Sequence, residues 1–451
     1  MNHLRNLFFC CIAMLSAPAS AEALTCEQLE GERIAERTLV GLEHTHAYVV
    51  ERELVTRVGQ PLACSDWERE RRHLEALDLF SEFDLSVEAV GENGVELVYD
   101  FRELPQYFIF PAMKSTDING WMLGGGGSLI NVMGHDIRAD VYARTSVSPL
   151  FAASEYMLWL TAPWLVNIPV KWEFLVTQVD SENPAKQFKE ESFGVELDIY
   201  QRTSLPLYIL YTADLFTIAH DEETPFFEPG DGSKRRFFFG DSGRDNIPKV
   251  GFGLVLDTRE QAANAHYGSF LELRWSQFGG PLGGPADYQE WLLDYRGYLS
   301  LGERHILHLS TLGQYRPGKV APYDFFHVGG ANSIRAYGVQ PGNYGQHEIL
   351  GTLEYRYETV RREPFELWGD NLYYGLQWVA GVDAAWLWMS DDSRPRLLSS
   401  VYAGLHILLP LIERVRIEFG IGQLEQGSDA LIYGLSIGLF EKSFMQRERI
   451  R

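Results

Sequence analysis

A chain of 451 residues with 62 acidic against 39 basic side chains carries a net charge of −23, which argues against a phosphate-tracking surface and so against nucleic acid as a partner. It holds 42 Gly, 26 Phe, 22 Tyr and 11 Trp, yet lacks an apolar run near the ~20 residues that a transmembrane helix requires. Aromatic- and glycine-rich sequence of this kind suits a barrel that crosses a membrane with strands, because those strands alternate lipid-facing and lumen-facing residues.

Residues 1–21 read as an export signal: Arg5, an apolar stretch from Leu7 to Leu15, then Ala19-Ser20-Ala21 as the cleavage site. Cys10 and Cys11 leave with it, without the small-residue context of a lipid-anchor site, so Cys26 and Cys64 remain. An even pair in an exported chain reads as a disulfide, the alternative being two free thiols. A short N-terminal segment, 22–33, precedes the first module.

Residues 34–104 form a small α+β unit. Thr38 to Leu42 reads as a strand. Ala47 to Val58 reads as a helix with Val50, Leu54, Val55 and Val58 on one face, ended by Gly59. Ser65 or Asp66 caps a second helix that runs to Leu77, with Trp67, Leu74 and Leu77 inward. Phe83, Leu85 and Val87 alternate in a strand, Gly91 to Gly94 turns the chain, and Val95, Leu97, Tyr99 and Phe101 alternate in another. The stretches Val49-Val50-Glu51-Arg52-Glu53-Leu54, Arg72-His73-Leu74-Glu75-Ala76-Leu77 and Leu79-Phe80-Ser81 resemble a POTRA domain along its whole length. The resemblance implies a periplasmic module whose exposed sheet edge pairs with an extended partner or client strand, the alternative being a spacer that merely orients the barrel.

From Pro105 the pattern changes to period two. Ile349, Gly351, Leu353, Tyr355 and Tyr357 share one face, opposite Leu350, Thr352, Glu354, Arg356 and Glu358. Trp378, Val382, Trp386 and Trp388 share a face, as do Val415, Ile417, Phe419 and Ile421, opposite Arg414, Arg416, Glu418 and Gly420. Such segments fall near 105–114, 120–130, 134–145, 152–162, 168–179, 190–201, 206–218, 247–257, 267–278, 287–301, 303–316, 347–360, 371–388, 396–409, 413–424 and 429–440. The fold class is therefore mainly β: an antiparallel transmembrane barrel of about 16 strands over 105–440, followed by a polar tail, 441–451, expected on the periplasmic side. Two long connections, 219–246 and 317–346, would leave the same end, opposite the N-terminal module.

The second of these carries Phe326-His327-Val328-Gly329-Gly330-Ala331-Asn332-Ser333-Ile334-Arg335-Ala336-Tyr337-Gly338. With Gly251 to Arg259 upstream, and Leu353-Glu354-Tyr355-Arg356 and Gly381-Val382-Asp383-Ala384-Ala385-Trp386 downstream, it resembles the BamA/TamA superfamily of outer-membrane assembly barrels across nearly the whole mature chain. The resemblance implies that Arg335, in a loop motif with Ser333, Ile334, Ala336, Tyr337 and Gly338, folds into the lumen and meets Glu354 and Asp383. Independently, the period-two phase puts both acids on the lumen face, where a guanidinium bridging two carboxylates would be a strong contact. Ala336 and Ala385 stand where the family usually has glycine, so the loop tip is expected to sit slightly differently. Pro111, which can donate no ladder bond, and the final strand with Gly434, Gly438 and Phe440 point to a weak seam that opens laterally.

The implied function is insertion or transport of polypeptides at the cell outer membrane, with lipid and unfolded or secreted polypeptides as partners, a possible periplasmic partner at the POTRA sheet edge, and no cofactor. The alternatives are a dedicated two-partner-type secretion pore or a passive channel. An enzyme is not expected: Gly434-Leu435-Ser436-Ile437-Gly438 matches a hydrolase pattern that needs a strand-to-helix elbow, yet it falls in a strand. Gly240-Asp241-Ser242 lies in a loop without a positioned base, and His44 and His46 lack further ligands for a metal.

Overall fold

A computed structural model describes residues 26–440 apart from 78, 92–93, 117–119, 148–151, 166–167, 184–187, 204–205, 220–225, 228–234, 237, 241–242, 260–263, 331–332, 338–342, 368–369, 391–394, 410–412 and 424–430. The export signal, the polar tail and Gly338 lie outside the described residues. The chain divides into two compact units that meet at Leu104 and Pro105.

The N-terminal unit contains β1 (Arg33–Val40), α1 (Ala47–Glu51), α2 (Cys64–Ala76), β2 (Phe80–Ala89) and β3 (Gly94–Glu103). Its sheet has the order β1-β3-β2, with β1 parallel and β2 antiparallel to β3. The core gathers Ile34, Val50, Trp67, Leu74, Leu97, Tyr99 and Phe101 under the helices. The first helix is shorter than its apolar spacing predicts: it ends at Glu51, and Val58 is 55% exposed. Leu54 and Val55 follow it in irregular backbone, because the chain must turn towards Gly59, whose N–H donates to Ile34 O (2.8 Å) beside β1. The second helix starts at Cys64, so Ser65 and Asp66 sit inside its first turn and do not cap it. Cys26 and Cys64 are joined as a disulfide, Cα–Cα 5.9 Å, which ties the N-terminal turn to the start of α2. Glu70 is fully buried; its carboxylate accepts from Thr56 N (2.5 Å) and from the Tyr99 hydroxyl (2.6 Å). Burial, together with the Glu70 carboxylate, pushes the Tyr99 phenol up from its ordinary value. His44 and Thr45 lie in a turn after β1, their N–H groups donating to the Glu103 carboxylate (3.0 and 2.7 Å).

The second unit is a closed antiparallel barrel. Its long strands are β4 (Tyr107–Thr116), β5 (Gly120–Leu129), β6 (Arg138–Ser146), β7 (Ala153–Ala162), β8 (Val170–Asn183), β9 (Phe188–Arg202), β10 (Leu207–Ala219), β11 (Arg244–Asp257), β12 (Gly268–Gly279), β13 (Asp287–Gly302), β14 (His305–Tyr315), β15 (His347–Leu367), β16 (Asp370–Trp388), β17 (Arg396–Leu409), β18 (Glu413–Gln423) and β19 (Leu431–Phe440). A two-residue strand, Gly318–Lys319, pairs with β13 and makes the closed order seventeen members long, while β14 pairs directly with β15. Each long strand pairs with its sequence neighbour, and β19 returns to β4. Those two touch far less than any other adjacent long strands among the described residues.

The alternation read in sequence has a plain physical sense here. Trp378, Val382, Trp386, Val401 and Phe419 are exposed on the outside, whereas Glu354, Glu358, Gln377, Asp383 and Glu418 are buried inside. Charges on such a wall would be costly without partners, and the lumen supplies them. Both long connections, 220–243 and 316–346, leave the barrel at the end opposite to the one where the chain comes in from Leu104. We call these the far and near ends.

Candidate functional site

The connection between β14 and β15 does not stay outside the barrel. Where it leaves β14, Arg316 bonds Glu290 through Nε (2.7 Å) and pairs with Asp324 (3.2 Å), and its guanidinium lies 4.0 Å over the Phe326 ring. The Tyr323 hydroxyl donates to Asp245 (2.9 Å), and Tyr288 donates to Asp324. Phe238, Phe278, Tyr288, Tyr323 and Phe325 fill an aromatic cluster around these contacts. Phe326–His327 then pairs with Tyr344–Gly345, and Val328 N donates to Asn343 O (3.0 Å), so the loop goes down and back as a narrow ribbon.

At its tip, Ser333 Oγ accepts from Gly329 N (2.8 Å) and Tyr337 N donates to Ile334 O (3.1 Å), a compact turn that points Arg335 inward. Ile334, Ala336 and Tyr337 are buried in one apolar cluster with Val328, Ala385, Leu387 and Leu398. Ala336 and Ala385, where glycine was the expected family residue, thus both belong to this cluster. Among the described residues the only non-glycines with positive φ are Asn131, Met133 and Asp136, so Ala336 carries no left-handed strain. The Tyr337 hydroxyl donates to the carbonyls of Ser399 (3.3 Å) and Gln423.

The Arg335 guanidinium meets three carboxylates. It lies 2.5 Å from Asp383, 2.8 Å from Glu418 and 3.6 Å from Glu354, and its backbone N–H also donates to Asp383 (3.2 Å). Its plane sits 3.8 Å over the Tyr402 ring. The carboxylates are held in turn: Asp383 by Thr352 (3.0 Å) and Ser400 (3.2 Å), Glu418 by His406 (2.9 Å), Glu354 by Tyr402 (2.7 Å) and Arg356 (2.6 Å). Sequence reasoning named Glu354 and Asp383 but missed Glu418 and Tyr402. The structure makes Glu418 a closer partner than Glu354, whose shorter ionic contact is with Arg356. The period-two pattern had put Glu418 on the inner face; only the curvature of the wall brings it to Arg335.

Glu354, His406 and Glu418 also bring one possible ligand atom each within 4.8 Å of one another. The guanidinia of Arg335 and Arg356 already supply cations to these acids, so the donor set is spent without a metal. Gly434-Leu435-Ser436-Ile437-Gly438 lies within β19, with no elbow. Asp241 and Ser242, from the Gly240-Asp241-Ser242 stretch in the β10–β11 connection, lie outside the described residues.

Room for the loop comes from glycines on the wall. A Cβ at Gly420 would stand 2.6 Å from Ala336 N, and one at Gly434 would stand 2.6 Å from Arg335 O. A Cβ at Gly422 would stand 2.8 Å from the Tyr337 ring. Gly434, read in sequence as a weakener of the seam, therefore also backs directly onto the loop tip. Gly438 and Phe440 lie further along β19, and Pro111 lies in β4 opposite Gly125.

The Omp85 superfamily domain matches residues 140–439. The outer membrane protein assembly factor BamA of Nitratidesulfovibrio vulgaris is 35% identical over 98 residues, which are 21% of this chain and 12% of that relative, so the match spans about an eighth of the relative's length. Among solved structures, BamA from Haemophilus ducreyi lacking POTRA domains 1–3 superposes with a TM-score of 0.64 at 15% identity, covering 91% of this chain and 85% of that one. CdiB from Escherichia coli superposes with a TM-score of 0.60 at 16% identity, covering 91% and 77%. At such identities the likeness speaks to fold.

Proposed function

The chain belongs to the Omp85 superfamily, and from that premise we propose that it is an outer-membrane protein that helps polypeptides insert into, or cross, that membrane. The observation that carries this reading is the β14–β15 loop seated inside the lumen on Arg335. A passive channel gains nothing from a buried ionic cluster that blocks its own passage, whereas a barrel that works through its wall needs a rigid interior and one weak seam. Here β4 and β19, the first and last strands, make the sparse contact. A client strand would template on the unpaired edges of an opened seam. No chemical step by this chain is required, since client folding supplies the driving force.

In this reading the N-terminal unit is a POTRA domain in the periplasm, which places the near end of the barrel there and the long connections outside. Its sheet offers one free edge for β-augmentation. The outer edge of β1 is partly covered, with Ile34 N donating to Gln60 O (2.9 Å) and Leu62 N to Glu32 O (2.8 Å), while β2 pairs only with β3 among the described residues.

The test is client folding in liposomes. The purified chain is reconstituted, a urea-unfolded outer-membrane barrel is added, and folding is followed by gel mobility against empty liposomes. Acceleration that is lost when cysteines are crosslinked between β4 and β19 supports insertion through the seam. Acceleration that survives the crosslink refutes the seam, and no acceleration at all moves the assignment to secretion of a dedicated client.

A further inference from the structure

The connection between β11 and β12 has a tight base. Thr258 N donates to Ser269 O (2.8 Å), and Gly268 turns the chain at φ +94°, where a Cβ would stand 2.3 Å from Thr258 O. From this base, residues 264–266 do not stay beside their own strands. Asn264 and Ala265 are 3% and 1% exposed. The Asn264 amide contacts Glu358 of β15 (3.4 Å), and its carbonyl oxygen accepts from Gln377 of β16 (3.0 Å) and Arg414 of β18 (2.9 Å). His266 Nε2 lies 3.1 Å from the other Glu358 oxygen, and Gln377 also donates to Glu358 (2.9 Å). In the closed order β18 stands well around the wall from β12, so these bonds reach across the lumen and not along the wall.

We propose that residues 264–266 form an inward latch that closes the near end of the lumen, and that β15 is the common anchor for this latch and for the Arg335 loop. Three inward residues of β15 follow one another at period two. Glu354 faces Arg335, which comes in from the far end; Glu358 holds Asn264 and His266, which come in from the near end; Arg356 lies between and bonds Glu354 (2.6 Å). Glu358 is 2% exposed, so its carboxylate depends on protein donors, and the latch supplies two of them. The barrel is thereby shut from both ends on one strand. A polypeptide passing through the lumen would have to break both sets of bonds, whereas one using the seam would break neither. The latch rests on geometry alone and holds whichever way clients are handled.

The chain from residue 22 onward, which lacks Cys10 and Cys11, is given Ala265→Cys, reconstituted in nanodiscs and treated with a membrane-impermeant maleimide; Cys26 and Cys64 are bridged and leave one thiol. Met133→Cys serves as the open reference, because Met133 is 83% exposed in the β5–β6 connection at the same end. Labelling at 265 is expected to be about a hundredfold slower than at 133, as for a site that reacts only on local opening. Gln377→Ala and Glu358→Gln, each removing a buried partner, should speed labelling at 265 roughly tenfold and leave 133 unchanged. Heat-modifiable gel mobility shows which variants retain a folded barrel; if Glu358→Gln does not, Gln377→Ala carries the test. Labelling at 265 as fast as at 133 in the otherwise unaltered chain overturns the latch. Slow labelling that ignores the folded variants overturns Glu358 and Gln377 as what holds it. Neither readout depends on client folding.

Discussion

Replacing Arg335 by alanine removes the one cation shared by three buried acids. Afterwards Glu354 keeps Arg356 at 2.6 Å and Glu418 keeps His406 at 2.9 Å, but Asp383 keeps only neutral donors, the hydroxyls of Thr352 and Ser400 at 3.0 and 3.2 Å and the backbone N–H of residue 335. Deleting one partner of a buried ion pair costs about 3–5 kcal/mol, mostly as the penalty for the charge left behind. The barrel ladder does not depend on this cluster, so the cost falls on loop docking: the equilibrium constant for seating the loop should drop by roughly two to nearly four orders of magnitude. Hydrogen exchange reads this directly, because the amides of Val328, Arg335 and Tyr337 are bonded to Asn343 O, Asp383 and Ile334 O in the seated loop. Their exchange should speed up by a similar factor while amides within β15 and β16 stay protected. Arg335→Lys should rescue little, since an ammonium cannot span three acids or lie flat over Tyr402. Exchange within about threefold of the unaltered chain in the alanine variant, set against an expected gain of roughly 10² or more, would refute the view that this cluster holds the loop. Full rescue by lysine would show that charge alone matters.

Gly420→Ala and Gly434→Ala each place a Cβ 2.6 Å from loop backbone, so both should unseat the loop and copy the Arg335→Ala exchange pattern with the charges intact; unchanged exchange would show that the wall gives way instead. Reducing Cys26–Cys64, which closes a 38-residue span, should cost the N-terminal unit about 3–4 kcal/mol, measured by exchange of its core amides with and without reductant. Tyr99→Phe takes a donor from buried Glu70 and should cost the same unit about 1–3 kcal/mol near neutral pH. The sign with pH is fixed: an unfolded tyrosine ionises near 10.0 while Tyr99 is held neutral above that, so the folded unit binds more protons there and loses stability as pH rises past 10.0. The phenylalanine variant should show a flatter alkaline decline, and an equal decline in both would remove Tyr99 as its source.

Period two is a local property, and the sequence carried it openly. Glu354 beside Tyr355, or Asp383 beside Val382, tells which side chain faces lipid and which faces the lumen, and a one-residue slip would reverse every assignment. Strand number, the placement of the long connections at the far end and the two-helix, three-strand character of the N-terminal unit follow from such local signals. The first helix is shorter than the sequence predicts for the same reason: Leu54, Val55 and Val58 keep helical spacing, but the pairing of residues 59–62 beside β1 takes the chain away after Glu51. What the sequence could not show is which inward residues meet. Glu418 reaches Arg335 from 83 positions away, and Arg414 reaches Asn264 from 150. The same holds for Tyr402 under the guanidinium and for the glycines that clear the loop tip. An alternating strand fixes the side on which a residue points, while its partner across a lumen is fixed by barrel closure, strand order and the depth to which a loop descends, none of which is written in any one segment.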